Sequence, residues 1–135
     1  MEPESENDAF RSFREGRIVA LPGPSGSIAD AIKVQQLGNL TFPLIRRFVD
    51  DIELVSEAEI ARAVLIAAEE MKMIVEPGGA VGLAAAVKAA HTRPGQHVAI
   101  LGGGNMLPER VEEMRALAGQ GPVGMSGNVL DRDIA

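Results

Sequence analysis

Residues 96–105 read Q-H-V-A-I-L-G-G-G-N, and the fold turns on how this stretch is read. Val98, Ala99, Ile100 and Leu101 form an uninterrupted apolar run, the pattern of a strand buried on both faces of an α/β sheet. Three glycines follow at once. Without Cβ atoms they let the backbone turn sharply and let a flat or charged ligand approach the main chain. Asn105 closes the run with a side chain that both donates and accepts hydrogen bonds. Pro108 and Glu109 then suit the first turn of a helix, near the positive end of its dipole. Ligands of open parallel sheets gather at the carboxyl ends of strands, where this run lies. A tight strand-to-helix turn with no ligand is the second reading, and this stretch alone leaves both open.

Outward from it, two further apolar runs read as strands, residues 17–21 (R-I-V-A-L) and 52–55 (I-E-L-V). Ser56-Glu57-Ala58-Glu59 is a capping box, with Ile60, Ala63, Val64, Ala67 and Met71 following at helical spacing. Residues 80–90 form a helix of small residues suited to close packing on a sheet. Shorter helices are expected over 9–15, with Phe10 and Phe13 turned inward and Gly16 ending it, over 27–34 with Ser27 as N-cap, from Thr41, and over 108–118. Three strands interleaved with helices make an α/β protein with a short parallel sheet flanked by helices, too few strands for a complete domain of this type. Residues 1–118 read as that domain and 119–135 as a flexible tail.

Composition narrows the function. The 135 residues carry a net charge of −6 with no basic cluster, and four Phe with neither Trp nor Tyr, which excludes nucleic acid as a partner. No apolar run approaches the roughly 18–20 residues of a membrane helix, and the acidic start is unlike a signal peptide, so a cytoplasmic protein is expected. There is no cysteine for disulfides or thiolate metal sites. No G-x-S-x-G pattern supports a serine hydrolase.

Two groups of carboxylates stand out. Glu76 lies between an apolar run (73–75) and Pro-Gly-Gly, where a partly buried carboxylate and an exposed loop charge are both consistent with the pattern. Asp30, set among apolar residues, is similarly ambiguous. At the N-terminus Glu2, Glu4, Glu6 and Asp8 alternate. Hard oxygen ligands so spaced suit Mg²⁺ or Ca²⁺, whereas a solvated acidic terminus is the plainer reading.

Six pieces in order complete the picture: E-P-E-S-E-N-D (2–8), S-I-A-D-A (27–31), L-G-N-L-T-F-P-L-I-R (37–46), V-D-D-I-E-L-V-S-E-A-E-I (49–60), M-K-M-I-V-E-P-G-G-A (71–80) and I-L-G-G-G-N (100–105). Together they resemble the later part of the fold-type II pyridoxal-phosphate enzymes of the threonine dehydratase, serine racemase and hydroxyaspartate dehydratase group. The resemblance implies part of the large domain of a tryptophan-synthase-beta-like fold and an amino-acid ammonia-lyase using pyridoxal phosphate. It maps the ring side of the cofactor pocket onto Glu76, Gly102, Gly103, Gly104 and Asn105, with Asp30 and Ala31 close by. Gly102 stands where the family has a serine that bonds the ring nitrogen, and Ala31 where it has glycine.

The resemblance also maps a divalent-cation site, for Mg²⁺ or Ca²⁺, onto Glu2, Glu6 through its carbonyl, and Asp8. The family's Schiff-base lysine and phosphate-binding loop belong to a part with no counterpart here, so Lys33, Lys72 and Lys88 all fall outside the lysine motif. The expectation is a fragment, inactive by itself, whose substrate in the intact enzyme is a small amino acid. It would associate with a complementary N-terminal half or with a second copy. The alternative is a non-catalytic half-domain serving as an interaction or small-anion-binding module.

Overall fold

A computed structural model describes residues 1–119; the expected tail, save Gly119, lies outside them. The described elements are β1 (Glu2–Pro3), α1 (Asp8–Glu15), a 3-10 turn (Asp30–Ile32), α2 (Thr41–Phe48), β2 (Leu54–Val55), α3 (Glu57–Glu69), α4 (Pro77–Ala90) and α5 (Arg110–Ala118). The α/β class and the parallel sheet are as expected, but the sheet has two strands, β1 paired in parallel with β2 through Glu2–Leu54 and Pro3–Val55.

Helix α3 is the hub. Its capping box forms as the S-E-A-E pattern requires: the Ser56 hydroxyl accepts the Glu59 amide and the Glu59 carboxylate accepts the Ser56 amide. Ile60, Ala63, Val64 and Ala67 turn one stripe inward and are fully or almost fully buried. Against that stripe pack α4 through Ala80 and Ala84 and α5 through Met114. Met71, expected to extend the stripe, lies beyond the end of the helix and is exposed.

Four expectations are corrected. Residues 98–101 are not a doubly buried strand: the segment makes no ladder among the described residues, and Val98 and Ile100 are 91% and 87% exposed. Residues 17–21 likewise have no strand partner, although Val19 is buried. Apolar content marks a segment that wants cover, but a strand also needs a continuous ladder; among the described residues the 17–21 run has a single such bond, from the Leu21 amide to the Gln35 carbonyl at 2.8 Å. Only the end of the 52–55 run pairs, and its partner is the acidic opening of the chain.

The third correction concerns 27–34, which shrinks to the 3-10 turn. The Ser27 hydroxyl accepts the Ala29 amide two residues on, a local bond that competes with helix formation. The fourth is α1, which turns Asp8 and Ser12 inward rather than Phe10 and Phe13. Both rings are half-buried, with the Arg14 guanidinium over Phe10 and the Arg46 guanidinium over Phe13. Gly16 does end this helix, in the left-handed conformation.

The segment 99–104 is held by α4 in a way only glycine permits. A methyl group on Gly79 would collide with the Gly102 carbonyl oxygen, and one on Gly82 would stand 3.1 Å from the Ile100 carbonyl oxygen. The helix thus offers bare backbone where a neighbouring main chain lies against it. No described helix is long and apolar enough to cross a membrane.

Gly79→Ala separates two opposing effects. Helix propensity alone would stabilise the variant by about 1 kcal/mol. The collision with a carbonyl that cannot swing aside like a side chain should outweigh this, for a net loss of about 2 kcal/mol or more. A lowered denaturation midpoint is expected, and an unchanged or raised one would show that 99–104 does not lie on α4.

Candidate functional site

The E-P-G-G turn brings together pieces far apart in the chain. Pro77 takes the first position of α4, where its missing N–H costs nothing, and Glu76 stands at the N-cap position with extended backbone. The Glu76 side chain makes no capping bond. Its amide donates to the Gly103 carbonyl at 2.7 Å. Gly103 has φ +72°, and a methyl group there would collide with the Glu76 carboxylate, so the carboxylate lies directly on the glycine backbone.

On the other side of the turn a methyl group at Gly78 would sit 3.1 Å from Ala31 Cβ. Asp30 in turn is 3.6 Å from the Arg110 guanidinium, which links the 3-10 turn to α5. Glu76, Gly102, Gly103, Asp30 and Ala31 therefore meet around one corner. Gly102, Gly104 and Asn105 present an exposed face there, and Glu76 is half-buried. The arrangement suits a flat ligand laid on bare backbone beside a carboxylate, with no side chain at Gly102 to bond it.

The lysines stand elsewhere. Lys88 donates to the Leu54 carbonyl at 3.1 Å and pairs with Glu59 at 3.5 Å. Lys72, in the left-handed region at φ +58°, donates to the Glu69 carbonyl.

The acidic opening is not a solvated tail. Glu2, Glu6 and Asp8 are 8%, 1% and 0% exposed. Helix α1 lacks a side-chain cap from Asn7, and Glu2 replaces it from β1: its two carboxylate oxygens accept the Ala9 amide at 3.0 Å and the Phe10 amide at 2.8 Å. Sequence spacing could not show this role, because the acceptor sits six residues before its helix, outside the usual capping position.

Burial, with the neighbouring Asp8 charge, raises the Glu2 carboxyl to about 6, against two opposing amide bonds; burial also raises Asp8. The carboxylate oxygens of Glu6 and Asp8 have no hydrogen-bond partner. Among the described residues no three His, Cys, Asp or Glu side chains converge as a metal-binding group.

Residues 1–103 match the family model described as pyridoxal-phosphate dependent enzyme. The chain is 46% identical over 111 residues to an L-threo-3-hydroxyaspartate ammonia-lyase of a Pseudomonas species, covering 82% of this chain and 34% of that protein. It is 40% identical to the serine racemase of Schizosaccharomyces pombe, with the same coverage of each. Among solved structures, the processed form of threonine deaminase isoform 2 from Solanum lycopersicum superposes with a TM-score of 0.79 at 29% identity, over 88% of this chain and 33% of that one. The chain thus spans about a third of the length of the curated relatives it matches.

The raised Glu2 carboxyl has a signed consequence. The folded chain holds this proton more tightly than the unfolded chain, so the contribution is fully present below the ordinary value of 4.5 and lost as pH rises through about 6. Between pH 7 and 5, measured with chelator, the parent should gain about 1–2 kcal/mol relative to Glu2→Gln, which cannot titrate. Parallel stability profiles from urea melts would contradict the assignment.

Proposed function

The chain belongs to the pyridoxal-phosphate dependent enzyme family, and we propose that it supplies the ring side of the cofactor site of an ammonia-lyase acting on serine, threonine or 3-hydroxyaspartate. The carrying observation is the corner where the Glu76 carboxylate lies on Gly103 while Ala31 abuts Gly78. When bound, pyridoxal phosphate supplies the electron sink through which such an amino acid sheds its α-proton and β-hydroxyl. The residues of this chain bind and orient. Gly102, Gly103 and Gly104 admit the ring close to the main chain, with Asn105 at their edge. Glu76 contributes the carboxylate beside the ring, and Asp30 and Ala31 close the third side. No lysine of this chain is assigned to the cofactor.

The same reading places a divalent cation, Mg²⁺ or Ca²⁺, on Asp8, the Glu6 carbonyl and the remaining lone pairs of Glu2. Partnerless buried oxygens on Asp8 support it, since a buried carboxylate without a donor costs several kcal/mol unless it is neutralised or coordinates a cation.

A second reading, an interaction module, is favoured by one observation: Val98 and Ile100 are exposed on an extended segment with no ladder partner among the described residues. A complementary chain or a second copy would add the missing strand there.

One labelled sample tests these readings. Titrating the ¹⁵N chain with pyridoxal phosphate at millimolar levels should move the amides of Glu76, Gly102, Gly103, Gly104, Asn105, Asp30 and Ala31. Borohydride reduction of that mixture should leave Lys33, Lys72 and Lys88 without stoichiometric labelling. Adding Ca²⁺ should move the amides of Glu2 and residues 4–9 in the parent and not in Asp8→Asn. Silence at the glycine run with cofactor present would reject the ring-side reading. If, in addition, shifts at 98–101 depend on protein concentration, the interaction module takes its place.

A further inference from the structure

Glu57 is the first residue of α3, yet the capping box uses Ser56 and Glu59 and leaves the Glu57 carboxylate to other partners. Its Oε1 accepts the Ser5 hydroxyl at 2.7 Å. Its Oε2 accepts the Ile28 amide at 2.8 Å and the Ser27 hydroxyl at 3.2 Å. One carboxylate therefore binds three donors from two segments, 2–8 and 27–32, and the second of these carries Asp30 and Ala31 of the ring-side corner.

Ser5 lies in the loop between Glu2 and Asp8, whose start is pinned to β2 by the Glu2 and Glu4 amides. Ser27 in turn accepts the amide of fully buried Ala29, one residue before the 3-10 turn that places Ala31 against Gly78. The helix end beneath Glu57 is fixed by the capping box, and a negative charge there is favoured by the helix dipole. The Glu57 side chain, however, is oriented by its own donors, so losing the Ser5 bond to Oε1 loosens the carboxylate that holds Ile28 and Ser27 through Oε2. Glu57 is not needed to cap its own helix, so a bridging role accounts for where its hydrogen-bonding capacity goes.

We propose that Glu57 is a positioning residue that couples the acidic loop 2–8 to the segment 27–32 and thereby sets where Asp30 and Ala31 stand at the ring-side corner. Any event that reshapes the acidic loop, including cation binding, would be felt at that corner through this one side chain. The functional meaning rests on the ring-side reading above; the coupling itself does not.

The test is amide hydrogen exchange on the full chain, read by NMR, for the parent, Ser5→Ala, Glu57→Ala, Glu57→Gln and the Ser5→Ala/Glu57→Ala double variant. Loss of one bond of ordinary strength should speed exchange at Ile28 and Ala29 by about fivefold or more. Ser5→Ala, which touches neither amide, is expected to do this in the parent and to add nothing in the Glu57→Ala background. Glu57→Gln should restore near-parent rates, because its oxygen still accepts Ile28 and its amide group donates to the Ser5 hydroxyl.

Unchanged exchange at Ile28 and Ala29 in Ser5→Ala would overturn the coupling, as would an equal effect of Ser5→Ala with and without Glu57. Should Glu57→Ala fail to fold, unchanged exchange at Ile28 and Ala29 in Ser5→Ala still overturns the coupling by itself. A pyridoxal phosphate titration read at Ala31 separates the two claims. Coupling with no cofactor-induced shift at Ala31 rejects the ring-side reading and leaves Glu57 as the link; a shift at Ala31 with no coupling does the reverse.

Discussion

The backbone-to-backbone approach of α4 to residues 99–104 is the constraint on which the rest depends. Gly79 and Gly82 leave the helix bare where the Gly102 and Ile100 carbonyls come down on it, and Gly103 lets the Glu76 carboxylate lie on its main chain. A side chain at Gly79 would push the segment away, and the Glu76 amide would lose the Gly103 carbonyl; one at Gly103 would strain the backbone at φ +72° and displace the Glu76 carboxylate. The glycine face would then no longer stand beside a carboxylate. What the corner offers is bare amide planes beside one acidic group, a surface on which a flat ligand can lie.

A second principle governs the opposite end of the described chain. Three carboxylates are buried within seven residues; Glu2 finds donors, whereas Glu6 and Asp8 do not. Glu2 is satisfied by two amides of α1 and so serves as that helix's cap. Asp8, at the start of the same helix, gains from the dipole but has no donor. Buried carboxylate oxygens without a donor cost stability, and here they are gathered in one short segment. Burial of the acidic loop also puts Ser5 within reach of Glu57, which ties this end of the molecule to the ring-side corner.

Much of this was legible in the residues, and what was not has a common cause. Local signals held: the Ser56–Glu59 capping box, the left-handed stop at Gly16 and the small-residue helix, which begins at Pro77 rather than at Ala80, each depend on residues a few positions apart. The parallel α/β class was legible too. Long-range pairing was not. The 98–101 run is as apolar as a central strand, yet it has no described partner, while polar Glu2–Pro3 supplies half of the sheet. Likewise α1 buries Asp8 and Ser12 because Ser12 donates to the Asp8 carbonyl and accepts the Val19 amide, a tertiary bond that helical periodicity cannot reveal. For the candidate site, Glu76 and the glycine run were identifiable, whereas Glu57 was not: its partners lie 52 and 29–30 residues away.

The central claim is that Glu76 is held against the glycine run by main-chain contact. Exchange of the Glu76 amide hydrogen measures it most directly, because that hydrogen points at the Gly103 carbonyl across 2.7 Å and belongs to no helix or strand ladder. Protection of about 100-fold or more over an unstructured amide is expected, falling to the unstructured rate when Gly79→Ala forces 99–104 off the helix. An unprotected Glu76 amide in the parent chain would contradict the account.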